Sequence, residues 1–368
     1  MSGDAGSSEF SSEDMKEQYH SYILRKILFI ILCFILVIIL GGYALTIGGR
    51  EIAHLDVYRI LWEHLNGAEY PRGTSEWWDD YIVWEIRLPR VLMAIIAGIS
   101  LSVCGVAMQS MLKNPLADPY TTGMASGAVF GAVVAIVLGM SFTTAMGMYG
   151  IVGNAFIGGL IPALVIITIS KFVRTTPATL ILAGIALSYM FNALKTLLLI
   201  TTNEENIQEA YIWQIGSVQD AVWADIPLMF AMTVIGSIFL LSTSRQLNLL
   251  TLGDDSARSL GLDASQFRTV CLILLSLMIA SIVSFTGIIG FVGLVAPHMV
   301  RMILGADNRF ITPASMALGA TLILAADVVG RTIVAPGELP VGIIMSFIGA
   351  PIFLYLIIRQ KKGYGEVY

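Results

Sequence analysis

A chain of 368 residues that is 56% hydrophobic and 13% charged is not an ordinary soluble protein, since soluble domains carry about a quarter charged residues. Its mean hydropathy of +0.80 is that of a polytopic membrane protein. A net charge of −5 offers no basic surface to nucleic acid, and Cys33, Cys104 and Cys271 stand apart in apolar runs without disulfide or metal spacing.

Residues 1–22 are polar and acidic and read as a disordered cytoplasmic tail. The apolar run behind them is too long for a signal-peptide core, so it is expected to stay in the membrane uncleaved. With about 20 apolar residues needed per crossing, ten spans are predicted: 24–47, 91–112, 120–140, 146–170, 179–200, 226–243, 268–285, 287–304, 311–330 and 340–358. They form one all-α membrane domain over 23–358, followed by a short tail at 359–368. With the N-terminus inside, the inner segments hold 14 of the 21 basic residues, and five of the other seven sit in the long loop 48–90. That bias predicts that both termini are cytoplasmic.

Loop 48–90 has apolar residues at Ile52, Leu55, Ile60, Leu61 and Leu65, as an amphipathic helix lying on the outer surface would. Trp77, Trp78 and Trp84 behind it suit a membrane interface. The loop ends in RLPR, with Arg87 and Arg90 at the outer face and Arg331 joining them after the ninth span. Such arginines either snorkel among headgroups or meet acidic residues on an outer partner. Asp327, four residues before Arg331, is placed for an i,i+4 pair.

In NPLADPY (114–120), Asn114 and Pro115 stop one helix while Asp118 and Pro119 begin the next. Gly123, Gly127 and Gly131 then recur every fourth position, as on a helix-packing face. The inner segment 244–267 carries helix-start chemistry at Asp254, Asp255 and Ser256 and a helix stop at Gly261. It is either a solvated link or a short helix that docks into a partner. In GIIGFVGLVAPHMVR (287–301), Gly287, Gly290 and Gly293 predict a bare helical stripe, in a tight hairpin with the preceding span. His298 at the end of that run is more simply a hydrogen-bonding fixture than a ligand.

No GxxxxGK[ST] or HExxH occurs, and four histidines assemble no nucleophilic set. The spans are free of Asp and Glu except for Asp327 near the outer end of the ninth. Ion-coupled carriers place ionisable groups inside the membrane, so any transport is expected to draw its energy from another subunit. A secondary carrier and a non-transporting membrane anchor are the rival classes.

RLPRVLMAIIAGISLSVCGVAMQSMLKNPLADPYTTGMASGA (87–128) resembles the second and third spans of the iron-siderophore and cobalamin class of ABC-importer permeases. LGDDSARSLGLD (252–263) resembles that family's coupling segment, while GIIGFVGLVAPHMVRMILGADNRFITP (287–313) and ADVVGRTIVAPGELPVGIIMSFIGAPIFLYLI (326–357) resemble its last spans. The resemblance implies a homodimer in the plasma membrane, served by two cytoplasmic ATP-binding subunits and an extracytoplasmic substrate-binding protein. ATP and Mg would be held by the partner ATPase, with no cofactor, metal or catalytic residue on this chain. It implies that Asp254, Asp255, Ser256, Ala257, Arg258, Ser259, Leu260 and Gly261 touch the ATPase, and that Arg87, Arg90 and Arg331 meet the binding protein. The implied cargo is a metal chelate: an iron(III) siderophore first, a corrinoid such as cobalamin second, and haem third. The acidic tail and the long Trp-rich loop exceed the family pattern.

Overall fold

The computed structural model describes residues 12–142 and 147–364. Its helices are α1 (Ser12–Thr46), α2 (His54–Leu65), α3 (Ser75–Tyr81), α4 (Leu88–Met111), α5 (Met124–Leu138), α6 (Met148–Ser170), α7 (Pro177–Ile200) and α8 (Glu204–Gln214). They continue as α9 (Ile226–Ser242), α10 (Ser244–Thr251), α11 (Asp254–Ser259), α12 (Ala264–Thr286), α13 (Val292–Leu304), α14 (Asn308–Thr332) and α15 (Val341–Tyr364). Ten of these run where the ten spans were predicted: α1, α4, α5, α6, α7, α9, α12, α13, α14 and α15. Five of them are long and apolar enough to cross alone, as is the joined run Ser75–Met111 that includes α4. Helix α9 reaches that length only together with α10, across a 62° bend.

Helix α4 is the axis of the bundle, packed by α9, α12, α13 and α14. Its glycines set the spacing. A Cβ on Gly105 would stand 1.7 Å from the Gly293 carbonyl of α13, and one on Gly98 would stand 2.4 Å from the Gly319 carbonyl of α14. In lipid, where apolar burial between helices gains little, this backbone-to-backbone approach supplies the packing. Helix α1 lies at the periphery, with 17% of its apolar window buried against 83% for the run through α4.

Several boundaries differ from the sequence reading. Residues 12–22 belong to α1 and are helical rather than disordered, and residues 359–364 extend α15. The remainder of the two predicted tails, 1–11 and 365–368, lies outside the described residues. The second span begins not at 91 but at Ser75, because α3, a π-helical stretch at Ile82–Arg87 and α4 form one continuous helix. Pro89 has no N–H to give, and the Leu88 amide bonds to the Val83 carbonyl five residues back. That wider turn carries the helix past the proline.

The hairpin between the seventh and eighth spans is a five-residue irregular link, 287–291, rather than a turn inside one glycine stripe. Its backbone is held by the irregular segment after α8, where Ile288 N–H donates to Gln214 O at 3.4 Å, and by the Tyr120 hydroxyl, which donates to Ile289 O at 3.1 Å. Non-helical backbone at this depth survives only with such partners. Helix α8 has no counterpart in the sequence reading. It turns back from the end of α7, so that Gln214 Oε1 accepts a bond from Lys195 Nζ at 3.0 Å.

Candidate functional site

At one end of the bundle, α10 and α11 form a bracket held from below. Ser244, Leu247 and Leu250 bury one face of α10. Asn248 ties it to α14, donating to Asp307 Oδ1 at 2.8 Å and accepting from Asn308 N–H at 2.8 Å. Burial raises the Asp307 pKa, but the bonds from Arg309 and Asn248 outweigh it and bring the carboxyl down to about 2.

Helix α11 is only six residues long, too short to be stable alone. Two devices hold it. Its end is a Schellman cap, with Gly261 at φ +86°, Leu262 N–H bonding to Ala257 O at 2.9 Å and Gly261 N–H to Arg258 O at 2.9 Å. Its start is pinned by Asp254, whose carboxylate takes two 2.7 Å bonds from Arg268 and one at 2.9 Å from Lys113. The Arg268 bonds hold this carboxyl well below the usual range. Arg268 is fully buried, and it also donates to Met111 O at 3.1 Å and Thr175 O at 3.2 Å. One guanidinium therefore joins α11, α12, the end of α4 and the link before α7.

This sorts the eight residues expected to touch a partner. Asp255, Ser256, Arg258, Ser259, Leu260 and Gly261 are exposed, whereas Ala257 is buried and Asp254 is spent on Arg268 and Lys113. Leu252 and Leu260 each expose about three-fifths of their surface, at 61% and 62%, and flank the exposed Arg258. The bracket exposes two leucines and a cation on a rigid footing. Arg268 and Lys113, which provide the footing, were missed because they read as ordinary inner-loop basic residues.

At the opposite end the three arginines do not form an exposed patch, which corrects the sequence reading. Arg87, Arg90 and Arg331 are 3%, 7% and 6% exposed. Arg87 donates to Leu45 O at 2.9 Å and Arg50 O at 2.6 Å. Arg90 bonds to Asp327 at 2.9 Å and to Glu338 at 2.7 Å. Arg331 donates to Ala44 O at 3.0 Å and Ile47 O at 3.1 Å and makes the expected i,i+4 pair with Asp327. The cluster seals the end of α1 against α4 and α14. Burial follows from the helix starting at Ser75, which puts Arg87 and Arg90 inside the bundle rather than ahead of it.

The glycines divide in the same way. Gly127 lies against the Gly158 carbonyl of α6 at 2.4 Å for an added Cβ, and Gly131 against Asn154 O at 2.1 Å, as a packing face requires. Gly123 caps α5 from outside the helix and meets Gly184 O at 3.1 Å. Gly293 packs against Pro119 and Leu101, but Gly287 is the cap of α12 at φ +67° and Gly290 has open space beside it. His298, 5% exposed, bonds to the Pro115 carbonyl, as a structural fixture does. No group of three or more His, Cys, Asp or Glu that could hold a metal occurs among the described residues.

One span has a polar exposed face. On α7, Tyr189, Asn192 and Thr196 are exposed at helical spacing beside Lys195, the only charged residue of that helix. A stripe of this kind is unsuited to lipid.

Residues 31–359 match the FecCD transport family. The chain belongs to this family. It is similar to the hemin transport system permease of Yersinia pestis, with 37% identity over 86% of this chain and 93% of that one. It is similar also to the cobalamin import system permease of Halobacterium salinarum, with 39% identity over 75% of this chain and 73% of the relative. Among solved structures, an inward-facing metal-chelate type ABC transporter superposes with a TM-score of 0.78 at 30% identity, covering 90% of this chain and 98% of that one. The fold is thus that of an ABC-importer permease, all-α and multi-pass.

Proposed function

We propose that this FecCD-family chain is the membrane subunit of an ATP-driven importer of metal chelates, working as a homodimer in the plasma membrane with both termini cytoplasmic. The observation that carries the proposal is the α10–α11 bracket. A six-residue helix anchored by a buried arginine and presenting Leu252, Arg258 and Leu260 is built to take force from a partner rather than to join two spans. The partners at that face are two ATP-binding subunits, which hold ATP and Mg. The spans support an external energy source, since Asp327, the one carboxylate found deep in them, is already committed to Arg90 and Arg331.

The second copy meets the polar stripe of α7, which closes off Tyr189, Asn192 and Thr196 from lipid and gives the cargo a path between the copies. A substrate-binding protein delivers that cargo at the face opposite α10–α11. There Arg87, Arg90 and Arg331 act beneath the contact surface, fixing the ends of α1, α4 and α14. An iron(III) siderophore is the first cargo to test, with a corrinoid and haem beside it. Relatives named for hemin and cobalamin support the chelate class.

The test is Arg258→Glu in the full chain co-expressed with its ATP-binding subunit. Recovery of the complex is expected to fall several-fold, with Arg258→Lys close to wild type. Undiminished recovery of the charge-reversed variant would remove the coupling role. Uptake by vesicles carrying the chain without an ATP-binding subunit would point instead to a carrier.

A further inference from the structure

Helix α2 has more apolar surface than its packing uses. Val57 and Ile60 are buried against the bundle. On another face Leu55, Tyr58, Trp62 and Leu65 are 83%, 47%, 70% and 70% exposed. Their spacing of three, four and three residues keeps them on one stripe, at about 100° per residue. Asp56, Arg59 and Glu63 occupy a third face and pair with one another, Arg59 with Asp56 at 3.0 Å. The helix is thus divided lengthwise into a protein side, a charged side and a bare apolar side.

The place of the bare side decides its occupant. Helix α2 follows directly on α1, the least-buried of the long spans, whose Leu36, Ile38, Ile39 and Tyr43 are 44%, 74%, 62% and 49% exposed, an apolar surface suited to lipid. The Tyr58 hydroxyl lies against Gly42, and the His54 ring is 6.4 Å from that of Tyr43. Gly42 is within about one turn of the end of α1 at Thr46. The stripe therefore begins on the lipid-facing side of α1 and runs sideways from it at the level where that span leaves the membrane. The tryptophans behind it are differently placed: Trp84 stacks on His64 at 4.0 Å and Trp77 on Tyr81 at 5.6 Å.

We infer that α2 is an interfacial helix, with Leu55, Tyr58, Trp62 and Leu65 seated at the headgroup–acyl boundary of the leaflet opposite α10–α11. The occupant is membrane lipid. The stripe continues a lipid-facing surface, carries the aromatic types that favour an interface and keeps its charges on the face turned from the apolar stripe. It widens the apolar flank that α1 presents.

The experiment uses the full chain in bilayers of phosphatidylethanolamine and phosphatidylglycerol. Cys33, Cys104 and Cys271 are buried, so a nitroxide can be placed selectively at Leu65→Cys, at Trp62→Cys, or at Asp56→Cys on the charged side. Collision rates with oxygen and with a water-soluble nickel chelate are then compared. Labels at 62 and 65 should collide several-fold more with oxygen than with nickel, and the label at 56 the reverse. Equal nickel access at 56, 62 and 65 would place the stripe in water and overturn the inference. Loss of both collisions at 62 and 65 only when the substrate-binding protein is added would assign the stripe to protein instead. Two labelled positions guard against one of them disturbing α2.

Discussion

The link between Asp254 and Arg268 can be tested by removing one side of it. Asp254→Ala leaves a fully buried guanidinium facing a hole where two 2.7 Å charged bonds had been. Breaking a buried pair in this way costs roughly 3–5 kcal/mol. The Asp254 side chain is 36% exposed and Lys113 already reaches it, so water can partly replace the carboxylate. The discounted cost is about 2–3 kcal/mol. Asp255→Ala, one position on and exposed, should change stability by no more than about 0.5 kcal/mol. Because all three cysteines are buried, a thiol-reactive fluorophore reports unfolding of the purified protein directly. The midpoint should drop by on the order of 5 °C for Asp254→Ala and stay within about 1 °C for Asp255→Ala. Equal midpoints for the two variants would refute the anchoring argument. The sign with pH follows from the depressed folded pKa: the contribution is full above the ordinary value of 3.8 and is lost only as pH falls below it. The difference between wild type and Asp254→Ala should therefore be unchanged between pH 7 and pH 5.

Asp118 has the opposite sign, since burial pushes its carboxyl up to about 6 from 3.8. The folded state then holds the proton more tightly, so stability falls as pH rises from 3.8 to about 6 and levels off above that. Asp118→Asn should flatten this part of the profile, measured by the same thiol assay. Gly105→Ala should abolish folding or lower the midpoint by more than any surface change, because its Cβ meets the Gly293 carbonyl at 1.7 Å. Gly290→Ala, with nothing within 4 Å, should be tolerated, and yield and midpoint together check both.

The ten apolar helices were legible because a run of apolar residues is a local property of the chain, although α5 and α13 are shorter than a full crossing needs. The Asp327–Arg331 pair was legible for the same reason, being one helical turn. What failed was whatever depended on distant partners. Arg87 and Arg90 sit in a charged, Trp-rich stretch that reads as a loop, and their burial comes from Leu45, Asp327 and Glu338, which lie 42, 237 and 248 positions away. Helix α8 is polar and was invisible to an apolar-run criterion, although Asn203, which accepts from Asn206 N–H at 2.9 Å, marks its start. The three-residue spacing of Gly287, Gly290 and Gly293 suggested a stripe, but only Gly293 is helical, and Gly287 is where the preceding helix stops. In the segment 244–267 the helix-start and helix-stop residues were readable. Which of them faced outward was not, because Arg268 makes that choice from 14 residues downstream.

That arginine also determines how the two ends of the molecule differ in compliance. Its planar group is held by Asp254, Met111 and Thr175 together, so α11 cannot slip relative to α4 or α12 without giving up several bonds at once. If a partner pushes on α11, that push would pass to whole helices rather than be absorbed locally. Between α12 and α13 the chain runs instead through the irregular link 287–291, which is held by single bonds from Ile288 N–H to Gln214 O and from the Tyr120 hydroxyl to Ile289 O. Rigid attachment at the start of α12 and irregular backbone at its end place the freedom of the α12–α13 pair away from α11.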